Sequence, residues 1–191
     1  LFTQSFVIPY LIPMLEKAGA VVFTPRERDW QRHEVIVDND GNGTYQEVKS
    51  RKNKWQTSSI PGFAWKRKTY TDGQNPFKEG TARFISTEKK AERAFAQWIP
   101  HIPETGSYAV YVSYQSLPKS IDDAKYLVFH KGGVTEFTVN QRMGGGTWVY
   151  LGTFEFDKGT NEHGMVVLSN QSKQKGIVCA DAVRFGGGMG N

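Results

Sequence analysis

A single cysteine, Cys179, stands among 191 residues, so no disulfide can form within the chain. That excludes a small disulfide-stapled scaffold, though it neither requires nor excludes export. The thiol sits in an apparent strand with no base beside it, and reads as a small buried hydrophobe, not a nucleophile. No apolar run approaches the roughly 18 residues of a membrane-spanning helix. Histidines are few (His33, His101, His130 and His163), and none forms HExxH or a close two-histidine metal spacing. Each reads as a surface or turn residue. GxSxG, GxGxxG and P-loop patterns are lacking. The glycine runs at 144–146 and 186–188 follow strands and do not open helices, so they make poor phosphate cradles. Glu136, Glu155, Asp157 and Asp181 lie on or beside strands, with nothing in the sequence to pair them for glycoside hydrolysis. These absences leave the chain without catalytic residues that the sequence can point to.

What is present is alternation. In residues 147–156, Trp148, Tyr150, Phe154 and Phe156 share one parity, and Val149, Leu151, Thr153 and Glu155 the other. A two-residue period with one apolar side marks a strand of an antiparallel sheet packed on a core. This pattern assigns Trp148 and Tyr150 to the core. Further strands are predicted at 81–86, 93–99, 106–114, 125–130, 134–140, 165–169 and 177–185. Lys131, Gly132 and Gly133 join two of them in the strongest hairpin signal of the chain. Seven or eight strands of this kind predict a mainly β domain, an antiparallel sandwich of jelly-roll type. Within the last strand, Asp181 shares a face with Ile177, Cys179, Val183 and Phe185. Either that face is exterior, or Asp181 is a buried carboxylate that accepts backbone N–H groups.

The first 43 residues read differently. Helical spacing of Phe6, Val7, Tyr10, Leu11, Met14 and Leu15, a stop at Gly19 and an apolar run at 20–24 predict a helix and a strand, a short α/β fragment. Pro9 and Pro13 imply a late start or a kink. Opening as it does on LFTQSF, the chain reads as beginning in mid-helix. Residues 25–43 are polar and turn-forming. Asp38, Asp40 and Asn42, with Gly43, match the first half of a calcium loop, but Lys49 stands where a bidentate glutamate is needed. An Asn/Asp/Gly turn is the alternative. Residues 44–80 form an irregular aromatic and basic linking segment, long enough to predict at least one short strand. The organisation expected is therefore 1–43, 44–80 and a sandwich over 81–191. The formal net charge of +5 is concentrated at 49–54 (KSRKNK) and 66–68 (KRK). No nucleic-acid motif accompanies these runs, and they read as solvated loops, so nucleic acid is not an expected partner.

The stretches GSYAVYVSY, DDAKYLVFHKGGVTEFTVNQRMGGGTWVYLGTFEFDKG, MVVLSN and GIVCADAVRFGGGMGN resemble the carbohydrate-binding-like domain of xanthan lyase and golvesin-type proteins. The resemblance implies a non-catalytic β-sandwich attached to periplasmic, cell-surface or secreted enzymes that act on polysaccharide or cell wall. The N-terminal FVIPYLIPMLEKAGAVVFTPRERD is similar to the first helix and second strand of a zinc-dependent N-acetylmuramoyl-L-alanine amidase, with Arg26 and Asp29 at matching positions. That implies a parent enzyme whose zinc, held by two histidines and a glutamate, lies outside these residues. This chain itself is expected to carry no cofactor.

The function expected is a glycan-binding module for polysaccharide or peptidoglycan, serving the remainder of a larger enzyme. The alternative is a structural insert that binds nothing. Sugar C–H faces stack on aromatic rings, and sugar hydroxyls bond to amides and guanidinium groups. The candidate ligand-binding residues are Trp55, Trp65 and Tyr70 from the linking segment, with Asn140, Gln141 and Arg142 from the loop after the hairpin.

Overall fold

A computed structural model of the chain describes residues 14, 17, 18, 33–41, 44–65, 79–89, 94–161 and 163–187, and the side chains of 64, 65 and 79 are not included. Two compact units are distinguished, Leu1–Trp30 and Gln31–Asn191. In the first, one helical hydrogen bond is described, from the Ala18 N–H to the Met14 carbonyl at 3.1 Å. The remainder of the expected helix and the strand at 20–24 lie outside the described residues.

The second unit is built from antiparallel strands. In chain order they are β1 (Glu34–Asp38), β2 (Tyr45–Val48), β3 (Gln56–Trp65), β4 (Glu79–Ser86), β5 (Phe95–Trp98), β6 (Gly106–Val112), β7 (Ala124–His130), β8 (Gly133–Val139), β9 (Val149–Phe156), β10 (Met165–Ser169), β11 (Ile177–Ala180) and β12 (Ala182–Gly186). They form a five-stranded sheet ordered β2-β5-β10-β7-β8, a four-stranded sheet ordered β1-β12-β6-β9, and a three-stranded sheet ordered β11-β4-β3. The sandwich therefore begins at residue 34, not at 81. β1, β2 and β3 come from stretches expected to be turn and linker, and each pairs within a sheet. β1 escaped notice because EVIVD is only five residues long and flanked by polar sequence. Val35 and Val37 stand opposite Phe185 and Val183, so the short alternation is enough once a partner strand exists.

The core lies between the layers. Trp98, Tyr126, Val166 and Leu168 of the five-stranded sheet are fully buried, as are Ile85, Val110, Val112, Val178, Val183 and Phe185 of the other two. Each large side chain removed from water contributes about 1.5–3 kcal/mol. Buried polar groups join the layers at defined points. The Gln141 side chain behaves like an added strand residue: its Oε1 accepts the Cys179 N–H at 2.8 Å, and its Nε2 donates to the Cys179 carbonyl at 2.8 Å and to the Tyr126 hydroxyl at 2.9 Å. At the edge, Arg83 donates to both oxygens of Glu47, at 2.6 and 2.9 Å.

Asp181 sits where the last strand leaves the three-stranded sheet and enters the four-stranded one. It is 1% exposed, so the buried-carboxylate reading holds. Its Oδ2 accepts the Ser113 hydroxyl at 2.6 Å and the Phe63 N–H at 3.0 Å. Its carbonyl accepts the Trp98 Nε1–H at 3.2 Å and the Asn39 N–H at 3.1 Å. Gly62 is required beside it, because a Cβ there would lie 2.5 Å from the Thr81 carbonyl oxygen and 2.6 Å from Asp181 Oδ1.

Asp38, at the end of β1, is also buried. Its Oδ1 accepts the Asp40 N–H at 2.8 Å. Burial first, then the nearby Asp181 and Asp40 charges, push its carboxyl up to about 7, against the opposing pull of the Asp40 N–H.

Two outcomes are expected. Asp181→Ala leaves the Phe63 N–H and the Ser113 hydroxyl without their acceptor, and should lower the unfolding free energy in urea by about 3–5 kcal/mol; a loss below about 1 kcal/mol would show that other groups take over. The unfolded chain ionises Asp38 at an ordinary pKa, whereas the folded chain resists doing so until about pH 7. Its contribution therefore favours the native state at low pH and is lost between about pH 4 and 7, by up to about 4 kcal/mol. Asp38→Asn should melt progressively higher than the parent as pH rises through that window. A pH-independent difference between the two proteins would refute the assignment.

Candidate functional site

A concavity lies on the three-stranded sheet. It is an open groove of about 830 Å³. Ser58 and Ser59 of β3, Phe84 and Ser86 of β4 and Ile177 of β11 form its floor. Ile177 stands directly opposite Ser86, and Phe84 has the parity of Ser86, so these three side chains share one face of the sheet. Leu117, Pro118 and Lys119 make one wall, and Asn53, Thr87, Lys175 and Gly176 complete the rim. The walls are fixed by backbone pairing. The Ile177 N–H donates to the Lys119 carbonyl at 3.0 Å, and the Thr87 N–H to the Gly176 carbonyl at 2.9 Å. The Thr87 hydroxyl accepts the Gly176 N–H at 2.9 Å. A Cβ at residue 176 would collide with the Lys119 carbonyl oxygen, so only glycine lets the two loops approach this closely.

A second surface lies on the outward face of the four-stranded sheet. Tyr111 and Tyr150 are cross-strand neighbours with ring centroids 5.3 Å apart. The Arg184 guanidinium lies 4.1 Å from the Tyr111 ring and 5.1 Å from that of Trp148, whose edge meets Phe63. Tyr150 is 44% exposed, which corrects its assignment to the core. The parity argument failed there because a register shift between Val110 and Tyr111 interrupts the pairing with β9. Most of these ring faces are occupied by one another and by Arg184. Beside them a shallower cleft of about 380 Å³ is lined by Tyr150, Phe137, Asn140 and Met143.

The candidate ligand residues that are described do not converge. Trp55 is 7% exposed, and its Nε1–H donates to the Val48 carbonyl at 3.2 Å, so its ring is core and offers no platform. Gln141 is fully buried on the Cys179 backbone, because a strand edge takes both its donor and its acceptor. Arg142 is tied to Asp122 at 2.7 Å, to the Gln174 side chain at 2.7 Å and to the Ser120 carbonyl at 3.2 Å. Asn140 is exposed, and its Oδ1 accepts the Arg142 N–H at 3.0 Å. The Trp65 side chain and all of Tyr70 lie outside the described residues. Of the calcium-loop residues, Asp38 Oδ1 holds the Asp40 N–H, and Asp40 accepts the Thr81 hydroxyl at 2.8 Å and the Thr81 N–H. Asn42 lies outside the described residues. Among the described residues no group of three or more His, Cys, Asp or Glu is placed to hold a metal ion.

Groups with catalytic chemistry are engaged elsewhere. Burial pushes the Cys179 thiol up to about 12, and it is fully enclosed. His130 and His163 do line one depression with Asp157. Yet His130 Nδ1 accepts the Gly132 N–H at 3.1 Å, which leaves Nε2 to donate to Thr135 at 3.0 Å. The groove residues Phe84, Lys119 and Lys175 were not singled out in the sequence. A signal was available in the shared parity of Phe84 and Ser86, and in the Pro118-Lys119 dipeptide of a turn.

Residues 35–187 match the family described as the Golvesin C-terminal domain. A xanthan lyase of Bacillus sp. (strain GL1) is 39% identical over 88 residues, 45% of this chain and 9% of that protein. A solved xanthan lyase from Paenibacillus is 25% identical with a TM-score of 0.57, over 80% of this chain and 13% of that one. The chain thus corresponds to a small part of each of these enzymes. With four-fifths of its length matched, it belongs to the Golvesin C-terminal domain family.

Proposed function

We propose that this domain is a non-catalytic carbohydrate-binding module of a larger secreted enzyme acting on polysaccharide or cell-wall glycan. The observation that carries the reading is the groove. Its floor sets Phe84 and Ile177 beside the hydroxyls of Ser58, Ser59 and Ser86, with the apolar Leu117 and Pro118 opposite. A sugar ring has the same division, apolar C–H faces and a belt of hydroxyls, and concave sites of this mixed lining hold such ligands. The likeness to parts of two xanthan lyases supports a parent that acts on a polysaccharide. The similarity of the N-terminal stretch to a zinc amidase supports a cell-wall parent instead, with the zinc ligands outside this chain. A secreted, periplasmic or cell-surface location goes with either parent.

The second reading is a structural insert that binds nothing. The burial of Trp55 and Gln141 favours it, since both expected contacts turn out to be packing. Affinity electrophoresis and calorimetry of the 191-residue chain against a panel of soluble polysaccharides and peptidoglycan fragments separate the two. A module is retarded by at least one glycan. Phe84→Ala should weaken that binding at least tenfold, about 1.4 kcal/mol, while Tyr150→Ala changes it less than about twofold. Absence of retardation by every glycan, in a protein that melts cooperatively, would establish the structural reading. Loss in Tyr150→Ala but not in Phe84→Ala would move the site to the four-stranded sheet.

A further inference from the structure

We infer that the groove is selective for an acidic polysaccharide, one bearing carboxylates along its chain. This deepens the carbohydrate-binding reading and rests on it. Two lysines, Lys119 and Lys175, line the groove, and none of the described residues lining it carries a carboxylate. Among the described residues, neither ammonium is held in an ion pair, whereas Arg83, Arg142, Arg184, Lys125 and Lys131 each face a carboxylate partner. Lys52 and Lys54 are exposed on either side of the rim residue Asn53, and Lys173 is exposed two residues before Lys175. Asp122, three residues beyond Lys119, is paired with Arg142, whereas Glu88, next to the rim residue Thr87, accepts the Ser50 hydroxyl and the Asn53 amide and keeps its charge. Lys52 and Lys54 of the basic run noted in the sequence thus add positive charge beside the groove.

Lys119 shows that this charge is kept against a local preference. The Ser120 N–H donates to the Leu117 carbonyl at 3.0 Å, closing a turn with Pro118 second and Lys119 third. Lys119 has a φ of 74°, the one positive φ found outside glycine among the described residues. That is the arrangement of a type II turn, whose third position favours glycine because a Cβ is strained there. Its backbone role, accepting the Ile177 N–H at 3.0 Å, would be served equally by glycine. What glycine lacks is the ammonium, and the ammonium lines the groove. A residue held in a sparsely populated conformation at a concave surface points to a functional constraint. Lysine acts as a compact point charge, so it suits carboxylates spaced along a flexible glycan, without demanding one fixed bidentate geometry.

The same substitution supplies a test free of folding damage. Lys119→Gly relieves the turn while removing the charge, so its melting temperature should equal or exceed that of the parent. The ligands are polygalacturonate, the same polymer with its carboxyls reduced to hydroxymethyl groups, and single-stranded DNA, each at low salt and at about 0.15 M. The intact chain should bind polygalacturonate at least about tenfold more tightly than the reduced polymer, with affinity falling as salt rises. Lys119→Gly and Lys175→Ala should each weaken the acidic polymer by about fivefold or more, and by at least about threefold more than they weaken the reduced polymer. Equal binding of the two polymers, or unchanged binding of polygalacturonate by both variants, overturns the selectivity while leaving a carbohydrate module standing. DNA bound as tightly as polygalacturonate overturns it too, because the groove would then be answering to charge alone. Failure of both polymers together with the wider glycan panel removes the carbohydrate reading itself.

Discussion

A single aspartate holds the three sheets in relation to one another. Asp181 interrupts the last strand at the point where it passes between sheets, and four separate segments bond to it. Phe63 of β3 and the Ser113 hydroxyl reach its carboxylate, and Trp98 of the five-stranded sheet and Asn39 after β1 reach its carbonyl. A buried carboxyl group of this kind is tolerated only with hydrogen-bond partners of fixed geometry. The constraint runs both ways, since the donors are thereby held at fixed positions. β3 pairs with β4 irregularly, with register shifts on both sides of Pro61, so its own ladder is a weak guide. The Phe63–Asp181 bond pins its far end. Ser58 and Ser59, nearer the start of the same strand, form part of the groove floor, so the site inherits its shape from a bond made at the sheet junction.

The strands from residue 79 onward were legible because most are apolar on at least one face and bounded by turn residues, and the hairpin at Lys131–Gly133 followed from its glycines, although 177–185 is two strands, β11 and β12, and not one. β1 and β2 were not, being five and four residues long in polar surroundings. Their strand character comes from their partners: β1 lies on β12, and β2 on β5. β3 carries Pro61 and Gly62, residues that argue against a strand, yet Gly62 is there because the Asp181 carboxylate and Thr81 backbone leave no room for a side chain. Asp181 was recognisable as an anomaly, and its burial was one of two alternatives drawn from parity alone.

The site was less legible than the fold. Ring type suggested Trp55 and amide type suggested Gln141, but both are required by the interior, one as a packed indole and the other as a substitute strand edge. Composition says which side chains can meet a sugar; it does not say which remain available once the core is filled. The groove residues are ordinary by type, two lysines, a phenylalanine and several serines, brought together by pairing between segments far apart in sequence. The charge run at 49–54 was a further hint, and it reads as solvated loop because nothing in one dimension places it beside residues 117–119 and 175–177.

The surface that a glycan touches decides between groove and sheet face. Amide chemical shifts of the isotope-labelled 191-residue chain, followed during titration with an acidic oligosaccharide such as oligogalacturonate, report this directly. The predicted result is a continuous set of perturbed amides at Asn53, Ser58, Ser59, Phe84–Thr87, Leu117, Lys119 and Lys175–Ile177, with those of Tyr111, Tyr150 and Arg184 unmoved. Perturbations confined to the outward face of the four-stranded sheet, or none at a saturating concentration, would contradict it.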